Sequence, residues 1–113
     1  MLNVVTIQGR ICNDPIVKAT ANDYTYASFM LACERPKNKN GEELTDFLPC
    51  IAFGKKAEFI QKYCTKGRMV IVSGRNQSRD YDGSDGKKHT TYEILVSEIN
   101  FCDSQKKDDR IDF

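Results

Sequence analysis

Only one stretch of this sequence repeats its apolar residues at helical spacing, and β-type segments lie on both sides of it. Within residues 55–66, Ala57, Ile60 and Cys64 form an i, i+3, i+7 stripe that Phe59 and Tyr63 widen. Gly67 supplies the stop, and Lys66 suits the negative end of the helix dipole. Three segments of strand character precede it. Residues 2–11 are rich in β-branched side chains, with Gly9 a bend or bulge. After the turn residues Asn13-Asp14-Pro15 and the polar break Ala21-Asn22-Asp23, residues 24–34 alternate, with Thr25, Ala27, Phe29, Leu31 and Cys33 on the apolar side. A polar hairpin loop over 35–43 leads to a third strand at 45–53, where Pro49 calls for a bulge or an edge. Two strands follow the helix, at 68–77 and 89–101, separated by the flexible turn Asp82-Gly83-Ser84-Asp85-Gly86.

Three strands, one helix and two strands is the order of the OB-fold, an all-β, five-stranded Greek-key barrel with its helix between strands 3 and 4. An SH3-like barrel would lack the helix, and a ferredoxin-like fold would need a second one. The 113 residues make one domain, expected over residues 1–102, with 103–113 a short, disordered, acidic tail.

Several function classes drop out on composition. The longest clean apolar run is Met69-Val70-Ile71-Val72, far from the roughly 18 residues a membrane span needs. The first residues carry no charged leader or cleavage site, so a cytoplasmic, nucleoid-associated protein is expected. Cys12, Cys33, Cys50, Cys64 and Cys102 never form a C-x-x-C pair, and His89 is the single histidine. That pattern offers no metal site and reads as free, mostly buried thiols. No nucleophile elbow, phosphate-binding loop or H-E-x-x-H occurs, so no catalytic residue and no cofactor is expected, and the chain reads as a binding module.

Net charge is +1, and from Asp103 onward the tail holds four acids against three bases, which leaves the body at +2. A phosphate binder with so small an excess must gather its bases on one face. Single-strand binding requires π-faces for unstacked bases and cations along the backbone, and strand parity offers both. Phe47 and Phe53 share one parity of the third strand, while Leu48, Cys50 and Ala52 take the other and suit the core. Tyr81 is flanked by charge at the start of a loop. Lys55 and Lys56 follow Phe53, and Arg75 and Arg79 precede Tyr81. The competing readings are plain: Phe53 and Phe47 as core, Tyr81 as an incidental surface ring, each lysine as a solvated charge.

These residues resemble the bacterial and phage single-stranded-DNA-binding protein family. The likeness runs in order through residues 1–10, Asp14-Pro15, Phe29-Met30-Leu31-Ala32, Asp46-Phe47, residues 53–58, Lys66-Gly67, Val72-Ser73-Gly74-Arg75 and residues 86–93. It implies an OB-fold that assembles as a homotetramer, with a dimer as the alternative, and binds single-stranded DNA in replication, recombination and repair. It places stacking aromatics at Phe47, Phe53 and Tyr81, and backbone contacts at Arg10, Lys55, Lys66, Arg75 and Arg79. The tip Asp108, Asp109, Arg110, Ile111, Asp112, Phe113 is similar to the family's acidic tail end, which docks replication and repair proteins. The chain departs from the pattern at Lys37, where many members carry an aromatic, at Pro49, at Leu48 in a position associated with subunit contact, and at Arg110 and Asp112 in the tip. Two neighbouring readings remain at this level: an OB domain whose partner is a protein, marked by an apolar patch in place of the aromatic-basic face, and an RNA-binding variant.

Overall fold

The computed structural model describes residues 1–20, 22 and 24–102. Strands β1 (Val5–Ile11), β2 (Ile16–Ala19), β3 (Thr25–Glu34) and β4 (Thr45–Phe53) precede helix α1 (Lys55–Tyr63), and β5 (Met69–Asp82) and β6 (Lys88–Phe101) follow it. Hydrogen-bonded neighbours run β1-β5-β6-β4-β3, and β1 returns to β3 through Arg10↔Ala32 and Ile11↔Leu31, closing a five-strand ring. All pairings are antiparallel except β4–β6, which is parallel at Cys50↔Ile94 and Ile51↔Leu95. The architecture is the expected OB barrel.

The sixth strand, β2, is absent from the five expected. It pairs Ile16–Ala19 with Thr25–Ser28, on the edge of β3 that β1 leaves free. β1 and β2 are two halves of one path, interrupted at the turn residues Asn13 to Pro15. The interruption is bridged by one backbone and one side-chain bond: Cys12 N donates to Met30 O at 2.9 Å, and Met30 N donates to Asn13 Oδ1 at 3.1 Å.

Alternation fills the interior. Ala27, Phe29 and Leu31 of β3, Cys50 and Ala52 of β4, Val70 and Val72 of β5, and Ile94 and Val96 of β6 all face inward with Ile11. Helix α1 adds Ala57 and Ile60, followed by Cys64, to this cluster. Burying a side chain such as Ile60 is worth about 1.5–3 kcal/mol.

Other expectations are corrected. The β1–β5 register is unbroken from Val5↔Gly74 to Arg10↔Met69, so Gly9 marks no bulge. It is small because a Cβ there would lie 2.7 Å from Ala32 O and 2.8 Å from Leu31 Cγ. The register shift comes between Ser73 and Gly74, whose partners Glu98 and Val96 leave Ser97 as an extra residue. A Cβ on Gly74 would sit 1.9 Å from Leu95 O. Pro49 sits at an edge, one of the two expected alternatives, and makes no bulge: β3 pairs straight through Met30↔Pro49, while β6 meets β4 only at the next two residues.

The helix stops at Tyr63, short of Lys66, because the following backbone turns to other partners. Lys66 N donates to Asp14 Oδ1 at 2.9 Å and Gly67 N to Ile11 O at 2.8 Å. Phe59 and Tyr63, expected to widen the buried stripe, are exposed; their rings pack on each other at 5.0 Å, and Phe59 lies 5.9 Å from Phe101. Of the five free thiols only Cys50 and Cys64 are buried, pushed up by that burial to about 12 and about 11. Cys12 and Cys33 are half-buried and Cys102 is exposed.

Candidate functional site

Residues paired across neighbouring strands share a face, so the register alone assigns sides. The row opposite Phe47 runs through Ala32 and Arg10 to Met69. A second row runs from Arg75 through Leu95 and Ile51 to Ser28 and Ile16. Phe53 pairs with Tyr26, which pairs with Lys18. The partners on the opposite parity, Cys50, Ala52, Phe29 and Ile94, are buried. Arg10, Phe47, Phe53, Arg75, Arg79 and Tyr81 therefore all lie on the outer face of one continuous sheet.

Phe47 is 60% exposed, because it stands near the start of β4 where neither α1 nor β6 covers the strand. It shares a hollow of about 570 Å³ with Arg10, whose Nη1 donates to Gly67 O at 2.8 Å. That bond ties Arg10 to the loop carrying Lys66. Beside Phe47, Arg35 donates to both oxygens of Asp46, at 2.9 and 2.7 Å. The paired guanidinium holds the Asp46 carboxyl below its usual range.

Phe53 is half-buried and belongs to a three-ring group. Tyr24 lies parallel to it at 5.8 Å and 7°, and Tyr26 is tilted against it at 6.0 Å. A cleft of about 520 Å³ brings Phe53 together with Tyr24, Lys56 and Arg75. Lys55, the expected neighbour, is exposed at the start of α1 and does not line this cleft.

Tyr81 is 46% exposed and lies within β5, not in the loop expected for it, because β5 continues five residues past Gln77. Opposite it, His89 stacks on its ring at 5.6 Å. The His89 Nε2–H donates to the Asp85 carboxylate, with Nε2 3.0 and 3.1 Å from its two oxygens. The Lys87 amide and then His89 lower the Asp85 pKa from its ordinary value. Gly83 leaves room for this arrangement, since a Cβ there would lie 2.4 Å from His89 Cδ2. Further down the hairpin, Arg79 Nε lies 3.4 Å from Glu93 Oε1, and Gln77 Nε2 donates to the same oxygen at 3.3 Å. Glu93 is the buried charge of this region, at 7% exposure.

The structure thus gathers three exposed or half-exposed aromatic stations with cations interleaved. Tyr24, Tyr26 and His89 were not singled out from sequence, because nothing in local spacing shows ring contacts across strands. The tip residues Asp108, Asp109, Ile111, Asp112 and Phe113 lie outside the described residues. Among the described residues no three His, Cys, Asp or Glu side chains converge on a metal-sized site, and no helix is long and apolar enough to cross a membrane.

Comparison with known proteins places the chain in a family. The model of the single-strand binding protein family matches residues 2–102. The chain belongs to that family. Within it, a single-stranded DNA-binding protein of Fusobacterium nucleatum is 36% identical over 107 residues, which span 92% of this chain and 69% of that protein. Single-stranded DNA-binding protein 3 of Clostridium acetobutylicum is 40% identical over 103 residues, 90% of this chain and 72% of its own length. Among solved structures, a Plasmodium falciparum SSB in complex with ssDNA matches with a TM-score of 0.82 at 25% identity, covering 91% of this chain and 96% of that one.

Proposed function

We propose that this member of the single-strand binding protein family binds single-stranded DNA without strong sequence preference, as a binding protein and not an enzyme. One observation carries the reading: Phe47, Phe53 and Tyr81 occupy one outer sheet face together with Arg10, Arg75 and Arg79. Aromatic rings accept any base, because every base has a π-face, and each stack contributes about 1–3 kcal/mol. Arg10, Lys55, Lys66, Arg75 and Arg79 meet phosphates in this reading. The service is protection of single strands in replication, recombination and repair, in the cytoplasm and at the nucleoid.

The protein acts as a homo-oligomer, a tetramer with a dimer as the alternative. What supports this is the strand edge of β1. It pairs with β5 from Val5 to Arg10, whereas its other side meets β3 only at Arg10 and Ile11. An open run of backbone donors and acceptors is a template for a second copy. The tip residues Asp108, Asp109, Ile111, Asp112 and Phe113 dock replication and repair proteins, a terminal phenylalanine with acids beside it fitting an apolar pocket rimmed by bases.

Titration of labelled oligo-dT of several tens of nucleotides, against duplex of equal length and at two salt concentrations, tests the reading. Strong preference for the single strand is expected, with affinity falling about 0.7 log units per log unit of salt for each phosphate neutralised. Equal, weak binding to both would overturn it.

A further inference from the structure

Next to Phe53, the ring offered to solvent belongs to another residue. Phe53 is half-buried, flanked by Tyr26 on β3 and by Tyr24 just before it. Tyr24 lies parallel to Phe53 with centroids 5.8 Å apart, the offset geometry aromatic rings favour, and it is 55% exposed. Its position is fixed at both ends. Thr20 N donates to Tyr24 O at 2.8 Å, and Tyr24 N donates to Thr20 Oγ1 at 3.1 Å. At the other end the phenol passes over Gly54, where a Cβ would lie 3.3 Å from Tyr24 Oη. Gly54 has φ of +67°, so glycine is favoured there on both counts. Lys56 and Arg75 line the same cleft as the two rings.

We propose that Tyr24, and not Phe53, presents the base-stacking face at this station, with Phe53 behind it as its support. The inference rests on the single-strand reading above and refines the site by one ring. A base laid on the outward face of Tyr24 leaves its phosphates at the mouth of a cleft that holds two cations. Phe53 then acts as a positioning residue: it keeps Tyr24 in plane, braced in turn by Tyr26.

Two measurements on the full chain test this. Tyr24→Leu keeps an apolar cover on Phe53 but removes the π-face, and its affinity for oligo-dT should fall about fivefold or more, whereas Tyr24→Phe should stay within about twofold of the parent. The chain has no tryptophan, so Tyr24→Trp and Phe53→Trp each carry a single indole emitter. Saturating oligo-dT should quench the indole at position 24 more than the one at position 53. Parent-like binding by Tyr24→Leu, or stronger quenching at 53 than at 24, would overturn the proposal. A parent protein that fails to bind oligo-dT would instead sink the single-strand reading itself, so the two failures are distinguishable.

Discussion

The barrel body and the outer half of the β5–β6 hairpin hold their aromatic rings by different means. In the body, Phe47 and Phe53 point outward because Cys50 and Ala52, at the opposite parity, are locked into the core at 1% and 0% exposure. Ring direction there follows from burial of everything behind it. Past Gln77 the hairpin has no such backing: Ser78 to Asp82 are all exposed, and Glu93 is its one buried residue facing them. Tyr81 is oriented by a local chain of contacts instead, from Gly83 to Asp85 to His89 to the ring. Core-backed rings are insured by the stability of the whole barrel. The hairpin ring depends on a few exposed contacts, each worth little alone and screened by solvent.

The sharpest break between the two regions should come from the core. Leu31→Ala removes a fully buried side chain beside Ile11 and is expected to lower stability by about 2–5 kcal/mol, read as the midpoint of urea unfolding. An unchanged midpoint would mean that the inner face of β3 does not set the stability of the body.

Next in size are the ring deletions. Phe47→Ala and Tyr81→Ala should each weaken oligo-dT binding by about 1–3 kcal/mol while leaving the unfolding midpoint within about 0.5 kcal/mol of the parent. If both bind normally, the face has been assigned to the wrong residues even though the family stands. Smaller again is Gly83→Ala. The added methyl would displace His89, so binding should fall by less than in Tyr81→Ala, with the two changes non-additive in the double variant. Full additivity would show that Tyr81 does not need the histidine.

The smallest effect is electrostatic, and each region offers one carboxylate. Asp46 in the body and Asp85 in the hairpin both have pKa values lowered in the fold, by Arg35 and by the Lys87 amide with His89 respectively. A depressed folded value means the contact stabilises above the unfolded carboxylate pKa of about 3.9 and is lost as pH falls through the folded value. NMR titration of the two carboxyl carbons should give midpoints below that reference. A normal midpoint at Asp85 would show that the tip contacts do not persist in solution.

Legibility in the sequence follows the same division. Wherever a strand has one face in the core, alternation is clear, and the outward parity of Phe47 and Phe53 could be read directly. Four-residue β2 carries no such pattern: its exposure reads exposed, half-buried, exposed, exposed, and its pairing partner lies across a polar break. The outer hairpin was missed for a related reason, since Ser78, Arg79, Asp80 and Asp82 resemble loop residues when no core requires them to alternate. Tyr24 was hidden because its significance arises only from its meeting with Phe53, twenty-nine positions later, and no local spacing encodes that contact. The close approach that demands glycine at Gly74, rather than at Gly9 alone, likewise depends on the distant Leu95.

The pairing of β1 with β5 also governs the order in which the molecule can assemble. Val5 meets Gly74 and Arg10 meets Met69, and the Asn3 side chain reaches past the strand to both backbone groups of Asn76, at 2.7 and 3.1 Å. During synthesis from the N-terminus, the first strand is made well before the strand that receives it. At about 5–20 residues per second, the residues from Cys12 to Arg68 that lie in between take several seconds or longer to be made. Until then the β1 edge is available to any other extended chain, and ring closure has to wait for these long-range contacts, which are slow to form. The first strand of the barrel to be synthesised is therefore among the last to reach its final place.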